Sequence, residues 1–301
     1  MMKNINFIYI LLILALVLNA CDYVKQPFEN IIVTGPDTTD TFDDNDSVPI
    51  QRILVEEFTG HTCGNCPEAA YILDSLKKNI YKNQMILVSI HAGFFAEPYT
   101  SGNKYLTDFR TASGNTYFND FNVLSTPKAM INRNRTIINN GNFAYNSPSQ
   151  WNTVLSALKD STPSTQILLS FKYDESSRNL STSVKIPVIK NLSGSYALVL
   201  YLIEDEIVDW QKIYPNKPVP GYGTGDIEFY THKHVLRATI NSTWGETVIT
   251  SNAAIGDTLT RNYSTFNIKP EWNADKCSVV AYLYNTTTKE IIQAREKKIK
   301  P

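Results

Sequence analysis

The chain has 301 residues and a net charge of -1, so it lacks the basic footprint of a nucleic-acid binder. Its length is enough for two domains, and its 17 tyrosines suit a β-rich protein outside the cytoplasm. Four cysteines are too few for a disulfide-stapled miniprotein, so any cysteine pair has a local purpose.

The first segment, MMKNINFIYILLILALVLNAC, starts with Lys3 and continues as an apolar run from Ile5 to Leu18. The run is too short for a spanning helix, which needs about 20 apolar residues, and reads as a signal peptide over residues 1–20. Leu18-Asn19-Ala20-Cys21 has the form of a bacterial lipobox, so Cys21 is expected to be acylated and to begin the mature protein. Residues 21–49, rich in Asp and Thr and poor in apolar groups, read as an extended acidic tether.

From Gln51 the pattern changes. Ile53 to Phe58 reads as a strand, Thr59-Gly60-His61-Thr62 breaks it, and a helix is expected from about Cys63 with Ala69, Ala70, Ile72, Leu73 and Leu76 on its apolar face. Met85 to His91 is a continuous apolar run, as in a strand covered on both faces. A helix is expected over Tyr105 to Ala112 and a strand over Ala129 to Asn132. A last helix carries Trp151, Val154, Leu155 and Leu158, with Ser149 as its cap. This alternation predicts an α/β layered domain over residues 50–162.

Asp160 to Ser164 marks a boundary, after which the apolar period becomes two. Strands are expected over Ile167–Tyr173, Ser181–Val188, Tyr196–Glu204, His232–Ile240, Thr258–Ile268 and Ser278–Tyr284, and the Gly- and Pro-rich segment around Gly221 reads as a long loop. Residues 163–301 are therefore expected to form a β-sandwich domain. The fold class is α/β plus all-β.

The chemistry centres on Cys63-Gly64-Asn65-Cys66-Pro67. A Cys-x-x-Cys pair at a helix N-terminus has a thiolate favoured by the free amides and dipole there, with a second thiol one turn on to resolve a mixed disulfide. Cys63 would be the exposed nucleophile and Cys66 the buried partner; Pro67 suits the first helical turn. A structural disulfide and half a zinc site are the other readings, the latter needing a second ligand pair.

The segment ILVEEFTGHTCGNCP resembles the active-site segment of thioredoxin-like proteins. The resemblance implies that Glu57 is a buried carboxylate that takes the proton of Cys66; the residues alone allow equally a surface glutamate at a strand end. It implies too that Thr126–Pro127 is a cis bond facing the cysteines, with Pro127 orienting a substrate that pairs with the backbone of Thr126. The sequence departs from that pattern in having Thr62 where the family has Trp, and in a longer stretch from Gly93 to Val123. Over nearly the whole mature chain, EEFTGHTCGNCP, IHAGFF, STPKAMINR, HKHVLRATINSTWGE and SVVAYLYNTTTKEIIQA resemble the Bacteroidota outer-membrane lipoprotein family named for a twenty-eight-kilodalton outer-membrane protein. That resemblance implies a thioredoxin-like domain followed by an immunoglobulin-like β-sandwich, held at the outer membrane by its lipid and facing either the periplasm or the cell surface.

Other residues have plainer readings. His61 either supports the Cys63 thiolate and its substrate or is a solvated loop residue. His91 ends a strand and caps a loop. His232 and His234 share a strand face but lack a third metal ligand. Cys277 is a buried inert thiol, and the four tryptophans are packing residues. No cofactor and no metal are expected; the partners are the outer membrane and a protein thiol or disulfide client. Two functions stand side by side: a thiol–disulfide oxidoreductase using Cys63, Cys66, Glu57 and Pro127, and a non-enzymatic adhesion lipoprotein whose disulfide is structural.

The lipobox makes the anchor testable. The wild-type protein is expected to carry an acyl label and partition into detergent, and Cys21→Ala to be released or left unprocessed. An unlabelled wild type that remains membrane-bound refutes the assignment.

Overall fold

In the computed structural model the described residues are 42, 48–138, 140–146 and 148–300, and all lie in one compact unit. The signal peptide, Cys21 and nearly all of the tether lie outside them.

The N-terminal half follows the expected alternation. β1 (Ile53–Thr59) leads into α1 (Cys66–Leu76), β2 (Met85–His91), α2 (Ala112–Asp120), β3 (Lys128–Ile131), β4 (Ala144–Tyr145) and α3 (Pro148–Leu158). Every residue of β1 and β2 is buried, which explains their unbroken apolar runs. β1 pairs parallel with β2 and antiparallel with β3. The second helix begins at Ala112, later than expected. Tyr105 takes a positive φ of 57°, and Thr111 caps the helix by accepting from the Gly114 amide at 2.9 Å. Ser149 is not a cap, since α3 already starts at Pro148.

The C-terminal half comprises β5 (Leu168–Asp174), β6 (Asn179–Pro187), β7 (Leu192–Ser193), β8 (Tyr196–Glu204), β9 (Ile207–Ile213), β10 (Gly225–His232), β11 (Val235–Thr239), β12 (Glu246–Ile249), β13 (Asn252–Ala253), β14 (Thr258–Asn267), β15 (Cys277–Asn285) and β16 (Ile291–Lys298). The fold is mostly β with a few helices, its sheets packed as a sandwich. A nine-stranded sheet runs in the order β16-β15-β8-β11-β2-β1-β3-β4, with β12 on β8. A three-stranded sheet β14-β6-β5 covers part of it, and β9 with β10 forms a separate hairpin.

The two halves therefore share one sheet, joined where Val235 of β11 lies beside Ser89 of β2. The expected boundary near Pro163 marks a change of local periodicity and not a gap between two cores. Leu198, Leu200 and Leu202 of β8 face the small sheet, whereas Val199, Tyr201 and Ile203 join Leu54, Phe58, Val88 and Tyr117 in a core on the other face. That second core draws on both halves, while α1 and α3 pack over β1 and β3 through Leu73, Trp151, Val154 and Leu155.

An ion pair sits within the shared core. Arg133 donates to Glu56 from Nε at 2.8 Å and from Nη2 at 2.7 Å, with both side chains buried. Arg133 Nη2 also donates to Tyr282 at 2.7 Å and Tyr201 at 3.1 Å, and the Tyr201 hydroxyl donates to Glu56 at 2.8 Å. The guanidinium lies 4.9–5.1 Å from the rings of Phe121, Tyr117 and Tyr282. Removing one partner strands the other charge, at a cost of about 3–5 kcal/mol. Arg133→Met is expected to lower unfolding free energy by that amount in urea titrations. Residues 50–162 and 163–301 expressed separately are expected to lack cooperative unfolding, and two independently folded fragments would refute the shared-core account.

Candidate functional site

β1 ends beside a tight loop. A side chain at Gly60 would lie 2.3 Å from the Phe95 carbonyl oxygen, so the close backbone approach requires glycine. The Thr62 amide and hydroxyl donate to that same oxygen at 3.1 and 2.9 Å. The Cys63 amide donates to Gly60 O at 3.0 Å, and the Cys66 amide to Cys63 O at 3.2 Å. This turn sets Cys63 just ahead of α1 and Cys66 at its first residue, with the two disulfide-bonded.

The β9–β10 hairpin lies over this loop. The Lys212 amide donates to His61 O at 2.8 Å and the Tyr214 amide to Gly64 O at 3.0 Å. Gln211 Nε2 donates to Cys63 O at 3.1 Å. The Tyr214 ring sits where a side chain on Gly64 would be, 2.3 Å from its position. Asp226 at the start of β10 accepts from Tyr105 at 2.8 Å and pairs with Lys104 at 3.1 Å, Thr107 donates to Asp209, and Lys217 pairs with Glu68 at 2.8 Å. Cys63 is 2% exposed and Cys66 1%. The expectation of an exposed Cys63 is thus corrected, because strands distant in sequence cover it.

Behind the disulfide lies a cavity of about 270 Å³ lined by Glu57, Cys66, Ser89, His91, Tyr222 and His232, among others. Glu57 and Ser89 are opposite one another in the β1–β2 register, and Ser89 donates to Glu57 Oε2 at 3.4 Å. Burial, reinforced by the charge of Asp74, pushes the Glu57 carboxyl up to about 8. Asp74 is itself held down at about 2, since hydrogen bonds from His234 and Lys233 outweigh the burial that opposes ionisation. Glu57 Oε1 and both ring nitrogens of His91 have no hydrogen-bond partner among the described residues. Burial, then the neighbouring His232, His61 and Arg237, keep His91 neutral, well below the ordinary imidazole range; burial also lowers His232, to about 4.

The Thr126–Pro127 bond is cis, and both residues line a groove of about 430 Å³ with Asn65, Glu68, Lys128 and Lys217. The fold thus brings Glu57, Cys63, Cys66, Thr126 and Pro127 around the start of α1. It does not leave His61 at the surface. That ring is buried, donates from Nε2 to Glu97 O at 3.1 Å, packs 5.4 Å from Tyr105, and has its basicity lowered first by burial. The hairpin covers it together with Cys63.

His91 is no loop cap; its ring centroid lies 4.9 Å from Phe109 and 5.6 Å from His232. His234 does not continue the strand face of His232. It lies past β10 with φ 54°, between Asp205 at 3.1 Å and Asp74 at 3.4 Å. Asp205, His234 and Glu296 come close enough to hold an ion, but Lys77 neutralises Glu296 at 3.2 Å and the two aspartates engage both nitrogens of His234. Cys277 is buried, its thiol pushed up to about 12 by burial first. Sequence reasoning missed Gln211 and Tyr214. The signal was present in Ile207-Val208-Asp209-Trp210 and Ile227-Glu228-Phe229-Tyr230, two β-favouring runs flanking the Gly- and Pro-rich loop.

Burial makes Glu57 a weaker acid in the folded chain than in the unfolded one. Between pH 4.5 and about 8 the unfolded chain ionises this carboxyl and the folded chain does not, so its contribution to stability is lost as pH rises through that window. The buried neutral histidines act in the opposite direction at lower pH, so the comparison requires a variant. Wild type minus Glu57→Gln in unfolding free energy is expected to fall by roughly 2–5 kcal/mol from pH 4.5 to 8.5. A flat difference would show that Glu57 is ionised in the native state.

Comparison with known proteins adds the lineage. The family described as outer membrane protein Omp28 matches residues 114–301, a span that includes the cis-proline and the hairpin but begins after the disulfide. Among solved structures, HBP35 of Porphyromonas gingivalis shares the fold with a TM-score of 0.58 and 17% identity, covering 83% of this chain and 76% of that one. A crystal structure of a domain of the outer membrane lipoprotein Omp28 from Porphyromonas gingivalis matches at 20% identity and a TM-score of 0.29, covering 46% of this chain and 97% of that one. No curated protein matches. Among the described residues no helix is long and apolar enough to cross a membrane. The chain belongs to the family described as outer membrane protein Omp28.

Proposed function

We propose that this lipoprotein carries out thiol–disulfide exchange in the cell envelope on a thioredoxin-like unit, held at the membrane by acylated Cys21. The observation that carries this reading is the joint placement of three parts. They are a Cys63–Cys66 disulfide at the start of α1, a Glu57 carboxyl that shares a cavity with Cys66 and is protonated at neutral pH, and a cis Thr126–Pro127 beside the same helix end. In the reduced state Cys63 is the nucleophile toward a client disulfide and Cys66 resolves the mixed disulfide. Glu57 exchanges the proton of Cys66. Pro127 shapes the groove, and the backbone of Thr126 pairs with an extended client. The strands after Pro163 read as an immunoglobulin-like sandwich that carries the hairpin over the disulfide. Client access then requires that hairpin to move.

A structural role for the disulfide is weak in energetic terms. The bridge joins residues only three apart. Closing so short a loop contributes roughly 2 kcal/mol on the chain-entropy relation. One observation favours the second reading, a non-enzymatic binding lipoprotein: both sulfurs are buried beneath the hairpin.

Equilibration against dithiol buffers separates the two. Exchange predicts reversible reduction and reoxidation of Cys63–Cys66 with the fold intact, abolished in Cys63→Ser and Cys66→Ser. A pair that is reduced only when the protein unfolds would establish the structural role.

A further inference from the structure

The two sulfurs of the disulfide do not face the same surroundings. Cys63 lies under the hairpin, its carbonyl held by Gln211 and the adjacent Gly64 covered by Tyr214. Cys66 lines the cavity behind the disulfide, and Cys63 does not. The rim of that cavity includes the exposed Tyr71 and Pro220, so the space communicates with solvent beside α1. At about 270 Å³ it is smaller than the groove of about 430 Å³ beside Pro127 and has room for a small molecule. Its walls include the polar side chains of Glu57 and His91, each 3% exposed and each with carboxyl or ring atoms lacking a hydrogen-bond partner among the described residues. Buried polar groups are ordinarily satisfied, so these atoms mark a place prepared for a polar guest.

We propose that this cavity is the entry site of a low-molecular-weight thiol, which reduces the disulfide by attacking Cys66 and not Cys63. The inference rests on the exchange reading and names its electron donor. The thiolate of the small molecule attacks Cys66 Sγ, a bond forms between the two sulfurs, the Cys63–Cys66 bond breaks, and the electron pair leaves on Cys63. The dipole of α1, whose N-terminal end lies beside Cys63, favours that leaving thiolate. A second small thiolate attacks the sulfur of the first, giving the small disulfide and a Cys66 thiolate. Cys66 takes the proton of Glu57, which regains one from solvent through the cavity, and Cys63 takes its proton from solvent. Two thiols are oxidised to one disulfide, and one protein disulfide is reduced to two thiols. The cavity that reaches Cys66 and the groove beside Pro127 lie along different faces of α1, and Cys63 lines neither, so the donor's path is separate from that of a client, which needs the hairpin to move.

The test uses the oxidised full chain with 2-mercaptoethanol and, separately, a 20-residue peptide with one cysteine. Acid quenching followed by mass mapping locates the mixed disulfide. 2-Mercaptoethanol is expected to reduce the pair at least tenfold faster than the peptide at equal thiolate concentration, with the trapped adduct on Cys66. Ala70→Trp, which fills the cavity wall, is expected to slow the small thiol at least tenfold; Ala70→Leu serves if the larger side chain prevents folding. An adduct on Cys63, equal rates for the two thiols, or unchanged rates in a folded cavity-filled variant would overturn the inference while leaving the exchange reading in place. Resistance to both thiols and to excess dithiol in the folded protein would instead overturn the exchange reading itself.

Discussion

The buried pair of Arg133 with Glu56 is the contact on which the arrangement turns. It ties β1 and the end of β3 to tyrosines of β8 and β15 across the shared core. Without it, the polar groups of four segments would face an apolar interior with no compensation, and such groups are expensive to bury unpaired. Gln293 makes a second tie between the halves. Its oxygen accepts from the Arg52 amide at 3.0 Å, and its nitrogen donates to Thr165 O at 2.9 Å and Ile50 O at 3.1 Å.

Two adjacent glutamates show how strand geometry assigns different chemistry. Successive side chains on a strand point to opposite faces. Glu56 meets Arg133 on one face and is ion-paired. Glu57 meets the cavity on the other face, finds no cation, lies near the charge of Asp74, and holds its proton to about pH 8. The same principle orders β2. Ser89 faces Glu57, and His91, two residues on, continues the polar column toward His232.

The hairpin over the disulfide changes what the Cys-x-x-Cys loop can do. Its backbone amides bond to carbonyls of the loop, and Gln211 holds the carbonyl of Cys63 itself. Cover of the loop is therefore a property of β9 and β10, and the Gln211–Cys63 bond spans 148 residues of sequence. The cavity behind Cys66 and the groove beside Pro127 lie on either side of this covered loop.

Much of the local structure was legible in the residues alone. The apolar runs of β1 and β2, the helical spacing of Trp151, Val154 and Leu155, and the two-residue period of β8 and β15 are local patterns, and each formed the expected element. The thiol pair, the buried Glu57 and the cis Thr126–Pro127 were marked by short motifs. The join between the halves was not legible. It depends on β11 entering the sheet beside β2, a pairing between strands far apart in sequence with no local signature. Burial of Cys63 and His61 was hidden for the same reason, since their own neighbours read as an exposed turn. Sequence by itself determined most of the strands and helices and marked Cys63, Cys66 and Glu57 as candidates, because those follow from periodicity and short motifs, but it placed the second helix too early and left β9 and β10 unread. Only the tertiary structure decided which of those groups are buried and which are paired, because burial is set by contacts between distant segments.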